Sequence, residues 1–184
     1  MATLHGYIAF LRAINVGGHN VKMAQLRSLF EELSFAEVAT FIASGNVFFK
    51  AESGDVPGLE AQIERHLKAA LGYEVATFIR TPAELAAVAA YQPFPESDLA
   101  ATDAALSIAF LRDTPTQAAQ KKLLDLRNEI DDFRFHEREL YWLRRTRISE
   151  STFSGALMEK TLAMPATMRN VTTVRKLAAK YPPE

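Results

Sequence analysis

The residues best suited to chemistry lie together near the start of the chain, in Arg12-Ala13-Ile14-Asn15-Val16-Gly17-Gly18-His19-Asn20-Val21-Lys22. Two glycines allow backbone amides to approach a ligand closely, and Arg12 and Lys22 flank them with positive charge. A helical pattern starts after this stretch, so the loop is delivered onto a helix N-terminus. Unpaired N–H groups and the helix dipole favour an anion there. His19 is the histidine nearest to this chemistry. A second short motif, Ser44-Gly45-Asn46, contributes a hydroxyl, a turn glycine and an amide. Arg169, Asn170 and Lys176, with Lys160, form a second candidate patch, in which Asn170 also reads as the cap of the last helix.

The same spacings exclude several chemistries. The Gly-Gly loop is not a Walker motif, because no Gly-Lys-Thr follows it, and it is not a dinucleotide Gly-x-Gly-x-x-Gly. No histidine or acid can be placed beside Ser44, as an activated serine requires. His5, His19, His66 and His136 lack the paired spacing of a zinc motif. Glu129, Asp131 and Asp132 read as the turn entering a strand rather than as a hard-cation site. No metal and no cofactor is predicted, and no reaction is assigned.

A net charge of -1 and a pI near 6.4 leave no electrostatic footprint for nucleic acid or a membrane surface. The 48% hydrophobic and 23% charged residues match an ordinary globular protein. The apolar runs are too short to span a bilayer, and no leader pattern is read before Gly6. The chain has no cysteine, which removes disulfides and thiolate chemistry and fits a reducing compartment. A cytoplasmic location is expected.

Apolar runs predict strands at about Tyr7–Ile14, Val38–Ala43, Val47–Lys50 and Val75–Ile79. Between them, Met23, Leu26, Leu29, Phe30 and Leu33 recur at helical spacing, as do Leu59, Ile63, Leu67, Ala70 and Leu71. With Gly45-Asn46 as a tight hairpin, the order is the ferredoxin-like βαββαβ plan. Thr81-Pro82-Ala83-Glu84 opens an extra helix with a capping box. Tyr91-Gln92-Pro93-Phe94-Pro95-Glu96-Ser97-Asp98 interrupts the pattern and reads as a linker.

The chain then starts again. Ile108-Ala109-Phe110-Leu111-Arg112 repeats Ile8-Ala9-Phe10-Leu11-Arg12 letter for letter. Thr114-Pro115-Thr116-Gln117 caps a helix, a hairpin turns around Glu137-Arg138-Glu139, and Ala166–Asn170 echoes Ala76–Thr81 at an offset of 90. The expected fold is α+β, a tandem duplication of a ferredoxin-like βαββαβ unit, each followed by an extra helix. The units are placed at residues 1–91 and 104–184, with 92–103 as the linker. In that topology the Gly-Gly loop and the Ser44–Asn46 hairpin share one rim. The second unit carries only Arg112-Asp113-Thr114-Pro115 there, so the fold itself does not require the glycines.

Tyr7–Gly18, Ser44-Gly45-Asn46-Val47-Phe48 and Ala166–Asn170 through Thr173–Leu177 resemble a bacterial family of unknown function. Its marks are FLRGINVGG, SGNVVF and ATTRNWNTVxKL. The resemblance implies a small cytoplasmic α+β protein and brings no established activity. Ala13 stands where that pattern has glycine, and Val171-Thr172 replaces Trp-Asn.

The favoured functional reading is a small anionic or phosphorylated ligand at the rim of the first unit. One alternative is a protein-interaction module, a homodimer through a sheet edge or helix face. The other is RNA or single-stranded nucleic acid stacked on Phe10, Phe48, Phe49, Tyr141 and Trp142. The balanced charge argues against nucleic acid, and no membrane partner is expected.

Overall fold

A computed structural model describes residues 3–184. It is an α+β fold with two four-stranded antiparallel sheets. The first half runs β1 (His5–Leu11), α1 (Met23–Glu31), β2 (Ala36–Thr40), β3 (Asn46–Ala51), α2 (Val56–Leu71), β4 (Thr77–Arg80) and α3 (Pro82–Ala90). The second runs α4 (Glu96–Leu99), β5 (Ala105–Leu111), α5 (Gln117–Leu124), β6 (Asp131–His136), β7 (Glu139–Arg144), α6 (Gly155–Leu162), β8 (Ala166–Asn170) and α7 (Val171–Lys180). A single 3-10 turn, Ile148–Glu150, follows β7. The strand orders are β2-β3-β1-β4 and β6-β7-β5-β8. Two compact units result, one up to Leu85 together with Tyr181–Glu184, the other Ala86–Lys180.

In the first unit, Tyr7, Ala9, Leu11, Val47, Phe49 and Ile79 turn one sheet face towards Leu26 and Phe30 of α1 and Leu59, Ile63 and Leu67 of α2. In the second, Ala109, Leu111, Leu140 and Trp142 meet Leu123, Met158 and Leu162. The alternate residues, Ile8, Phe10, Phe48 and Phe78 in one unit and Ile108, Phe110 and Tyr141 in the other, are buried as well. Burial on both faces explains why these strands read as continuous apolar runs rather than alternating ones. It also removes the stacking platform considered for RNA. Phe10, Phe48, Phe49, Tyr141 and Trp142 are all at most 9% exposed.

Side chains occupy outward backbone groups on three of the outer strands, β4, β8 and β6. Glu64 and Glu60 stand one turn apart on α2 and accept the Thr77 and Ile79 amides of β4, each at 2.9 Å. Glu159 of α6 accepts the Ala166 amide of β8 at 2.9 Å. Arg80 and Arg169 donate to the carbonyls of Ile79 and Met168. On β6, Asp132 accepts the Phe133 amide and Arg134 donates to the Phe133 carbonyl, both at 2.8 Å. Side chains that occupy outward amides and carbonyls prevent pairing with another strand.

Several expectations are corrected. Strand β1 ends at Leu11 rather than Ile14, because Ala13 turns into the left-handed region at φ 55°. The hairpin is not the two-residue Gly45-Asn46 turn. Residues 41–45 form the connection, closed by the Phe41 amide donating to the Asn46 carbonyl at 2.9 Å. Register pairs Ile8 with Arg80 and Ile108 with Arg169, so the last strands are related by an offset of 89 rather than 90. Apart from these corrections, the Tyr91–Asp98 segment read as a linker holds Phe94, which is buried with the Arg134 guanidinium 5.0 Å from its ring. The capping box at Thr81 forms as expected, with Glu84 accepting the Thr81 amide at 2.8 Å and Thr81 accepting that of Glu84 at 3.2 Å.

Candidate functional site

The rim of the first unit is assembled by hydrogen bonds between two loops. The Leu11 amide donates to the Gly45 carbonyl at 2.8 Å, carrying the β1–β3 pairing beyond the strand ends. Asn15 then joins the loops with its side chain. Its Nδ2 donates to the Ala43 carbonyl at 2.8 Å, and its Oδ1 accepts the Val21 amide at 2.7 Å. One amide thereby fixes both the far loop and the entry to α1. Asn46 is fully buried, and its Nδ2 donates to the Phe41 carbonyl and the Ser44 hydroxyl, both at 3.0 Å. That is the one bond of the Ser44 hydroxyl among the described residues.

Gly45 is required twice over. Its φ is +75°, and a Cβ there would lie 2.5 Å from Ile14 Cγ2 and 3.2 Å from Leu11 Cβ. Gly17 and Gly18 also have positive φ, +67° and +90°, but a Cβ on either would meet nothing within 4 Å. They are exposed, and their loop spans residues 12–22 where the second unit uses only 112–116. His19 lies flat on Tyr73, with ring centroids 3.7 Å apart and planes 21° from parallel. Tyr73 donates to the Ile14 carbonyl at 3.3 Å, and burial raises its phenol pKa. Arg12 is half-buried, and its amide donates to the Ala76 carbonyl at 2.9 Å. Lys22 is exposed at the N-cap of α1, which has no side-chain cap and no acidic residue in its first turn. At the matching place in the second unit, Thr116 caps α5 by accepting the Ala119 amide at 3.2 Å.

The structure therefore brings Arg12, Asn15, Gly17, Gly18, His19 and Lys22 into one loop, tied to Ser44, Gly45 and Asn46. It divides their roles: Asn15, Gly45 and Asn46 are occupied holding the loops, while Gly17, Gly18, His19 and Lys22 stand exposed. The loops also expose two large apolar side chains, Val16 at 65% and Ile42 at 51%, the latter at φ 50°. Sequence reasoning missed Tyr73 and Ile42. Only their distance from the loop in the folded chain gives them a part, and no local pattern marks either.

The second patch does not form as a surface cluster. Arg169 is buried, its guanidinium donating to the Thr167 hydroxyl at 2.7 Å and the Met168 carbonyl at 2.9 Å, and burial lowers its pKa to about 10. It remains charged at neutral pH but is buried, at the register position that the buried Arg80 holds in the first unit. Asn170 accepts the Thr172 amide at 2.8 Å at the start of α7, and Lys176 is exposed on that helix. Asp131 is buried too, accepting from Trp142 Nε1 and the Ser151 hydroxyl at 2.8 Å. Among the described residues no three His, Cys, Asp or Glu side chains gather as a metal site, and no helix is long and apolar enough to cross a membrane.

A search of curated proteins found no match. Among solved structures, the chain is similar to the conserved bacterial protein SP0830 from Streptococcus pneumoniae, with a TM-score of 0.74 and 22% identity over 96% of this chain and 98% of that one. That likeness is one of fold. Residues 4–141 match the family described as protein of unknown function DUF1697, and the chain belongs to that family.

Proposed function

We propose that the rim of the first unit binds a small anionic or phosphorylated ligand. The Gly17 and Gly18 amides and the first turn of α1 provide donors, Lys22 and Arg12 provide positive charge, and His19 provides a side wall. Asn15, Ser44, Gly45 and Asn46 act as positioning residues that keep the two loops in register. The observation that carries this reading is the contrast between the halves. The α1 start has no side-chain cap and follows a loop with two open glycines, whereas α5 is capped by Thr116 after a short turn. An uncapped helix start flanked by cations attracts an anion through its free amides and its dipole.

Calorimetric titration with inorganic phosphate and with small phosphorylated compounds tests it. The Gly17→Val, Gly18→Val double variant is expected to lose at least about tenfold in affinity, the order of one charge-assisted hydrogen bond. Thr116→Ala should leave binding unchanged. Identical titrations for wild type and the glycine variant, both folded by circular dichroism, overturn the reading.

We further infer that each unit is ferredoxin-like and that the chain arose by tandem duplication, with residues 1–91 and 104–184 as the repeats. Matching strand orders support this, as do equivalent registers: Ile8 opposite Phe48 and Arg80, Ile108 opposite Tyr141 and Arg169.

A further inference from the structure

The segment joining the repeats does more than connect them. With the last turn of α3, Leu106 of β5 and Arg175 of α7, it encloses a cleft of about 480 Å³ within the second unit. Tyr91, Phe94, Leu99 and Leu106 supply an apolar wall, and Glu96 and Arg175 supply opposite charges. The volume falls in the range of small-molecule sites, about 300–1,000 Å³.

Two features argue for a ligand rather than a dent in the surface. The walls are held from behind. Tyr91 stacks on His136 with centroids 3.9 Å apart and planes 7° from parallel, and Phe94 is 4% exposed beneath Arg134. The charges, in contrast, are unused. Among the described residues the Glu96 and Arg175 side chains form no hydrogen bond or ion pair, either with each other or with any other group. Two opposite charges on one cleft, both exposed and paired neither with each other nor with another group, are complementary to a molecule carrying both signs. The C-terminal turn of α3, Ala89 and Ala90, lines the same cleft and brings partial negative charge suited to a cation.

We propose that this cleft binds a small zwitterion with an apolar body, of the class of free apolar and aromatic α-amino acids. The carboxylate pairs with Arg175. The ammonium lies towards Glu96 and the end of α3. The side chain packs against Tyr91, Phe94, Leu99 and Leu106. This site is independent of the rim of the first unit.

The test is titration of the full chain with L-phenylalanine and L-leucine, followed by calorimetry and by amide chemical shifts over residues 89–106. Saturable binding is expected, and phenylalanine amide and hydrocinnamate, each lacking one charge, should bind about tenfold more weakly. Arg175→Gln should abolish the preference for phenylalanine over its amide. Glu96→Gln should abolish the preference over hydrocinnamate, and Lys176→Gln should change neither. The absence of saturable binding to folded protein up to about 20 mM, weaker than any useful affinity on the usual scale, overturns the proposal. So does binding that neither substitution affects, or shifts confined to residues outside the cleft.

Discussion

Replacing Gly45 by alanine tests how the rim is held, and three glycines make the test internally controlled. Gly17, Gly18 and Gly45 all have positive φ, but only at Gly45 would a Cβ meet a neighbour, 2.5 Å from Ile14 Cγ2. For each alanine the left-handed backbone costs about 1–2 kcal/mol. Restricting the unfolded chain returns about 0.4–1 kcal/mol. Gly17→Ala and Gly18→Ala should therefore destabilise by about 0–1.5 kcal/mol. At Gly45 the overlap adds about 1–3 kcal/mol of overpacking, for a total of about 1–4.5 kcal/mol. Urea denaturation followed by far-UV circular dichroism is the appropriate assay. The single tryptophan, Trp142, lies in the second unit and would miss the change. Truncating Ile14 to alanine removes the overlapping methyl, so Gly45→Ala should cost less in that background than in the native one. A Gly45→Ala midpoint equal to that of Gly17→Ala would refute the reasoning.

Two further outcomes follow from the same geometry. Ala13, at φ 55°, is in the conformation that favours glycine, so Ala13→Gly should stabilise by about 0.5–1 kcal/mol; a lower urea midpoint would contradict this. Asp131→Ala leaves the Trp142 indole and the Ser151 hydroxyl without their shared acceptor. It should cost about 1–3 kcal/mol and shift the Trp142 emission, and an unchanged spectrum would show that the buried bond is not present in solution.

The core was legible because it rests on periodicity. Leu26, Leu29 and Phe30 recur at helical spacing and are buried where the pattern puts them. The repeated Ile-Ala-Phe-Leu occupies equivalent positions at the ends of β1 and β5. The Thr81–Glu84 capping box was legible for a related reason, since it is complete within a few residues. Arg169 was misplaced because nothing near it in sequence signals burial. Its partners and its inward direction depend on the strand register, and a cation at a strand end reads as exposed until the register is known. The cleft was out of reach, since Arg175 and Tyr91 meet only through packing.

Residue patterns alone specify the strands of each half, the helices between them, and the loop that one half has and the other lacks. Apolar spacing and local turn chemistry act over a few residues, so these features are written locally. Strand pairing, in contrast, sets Asn15 so that both ends of its amide tie that loop to Ala43 and Val21, while Gly17 and Gly18 stay exposed and α1 starts without a side-chain cap. Directional hydrogen bonds depend on distance and angle between segments far apart in the chain, and those exist only once the strands have paired.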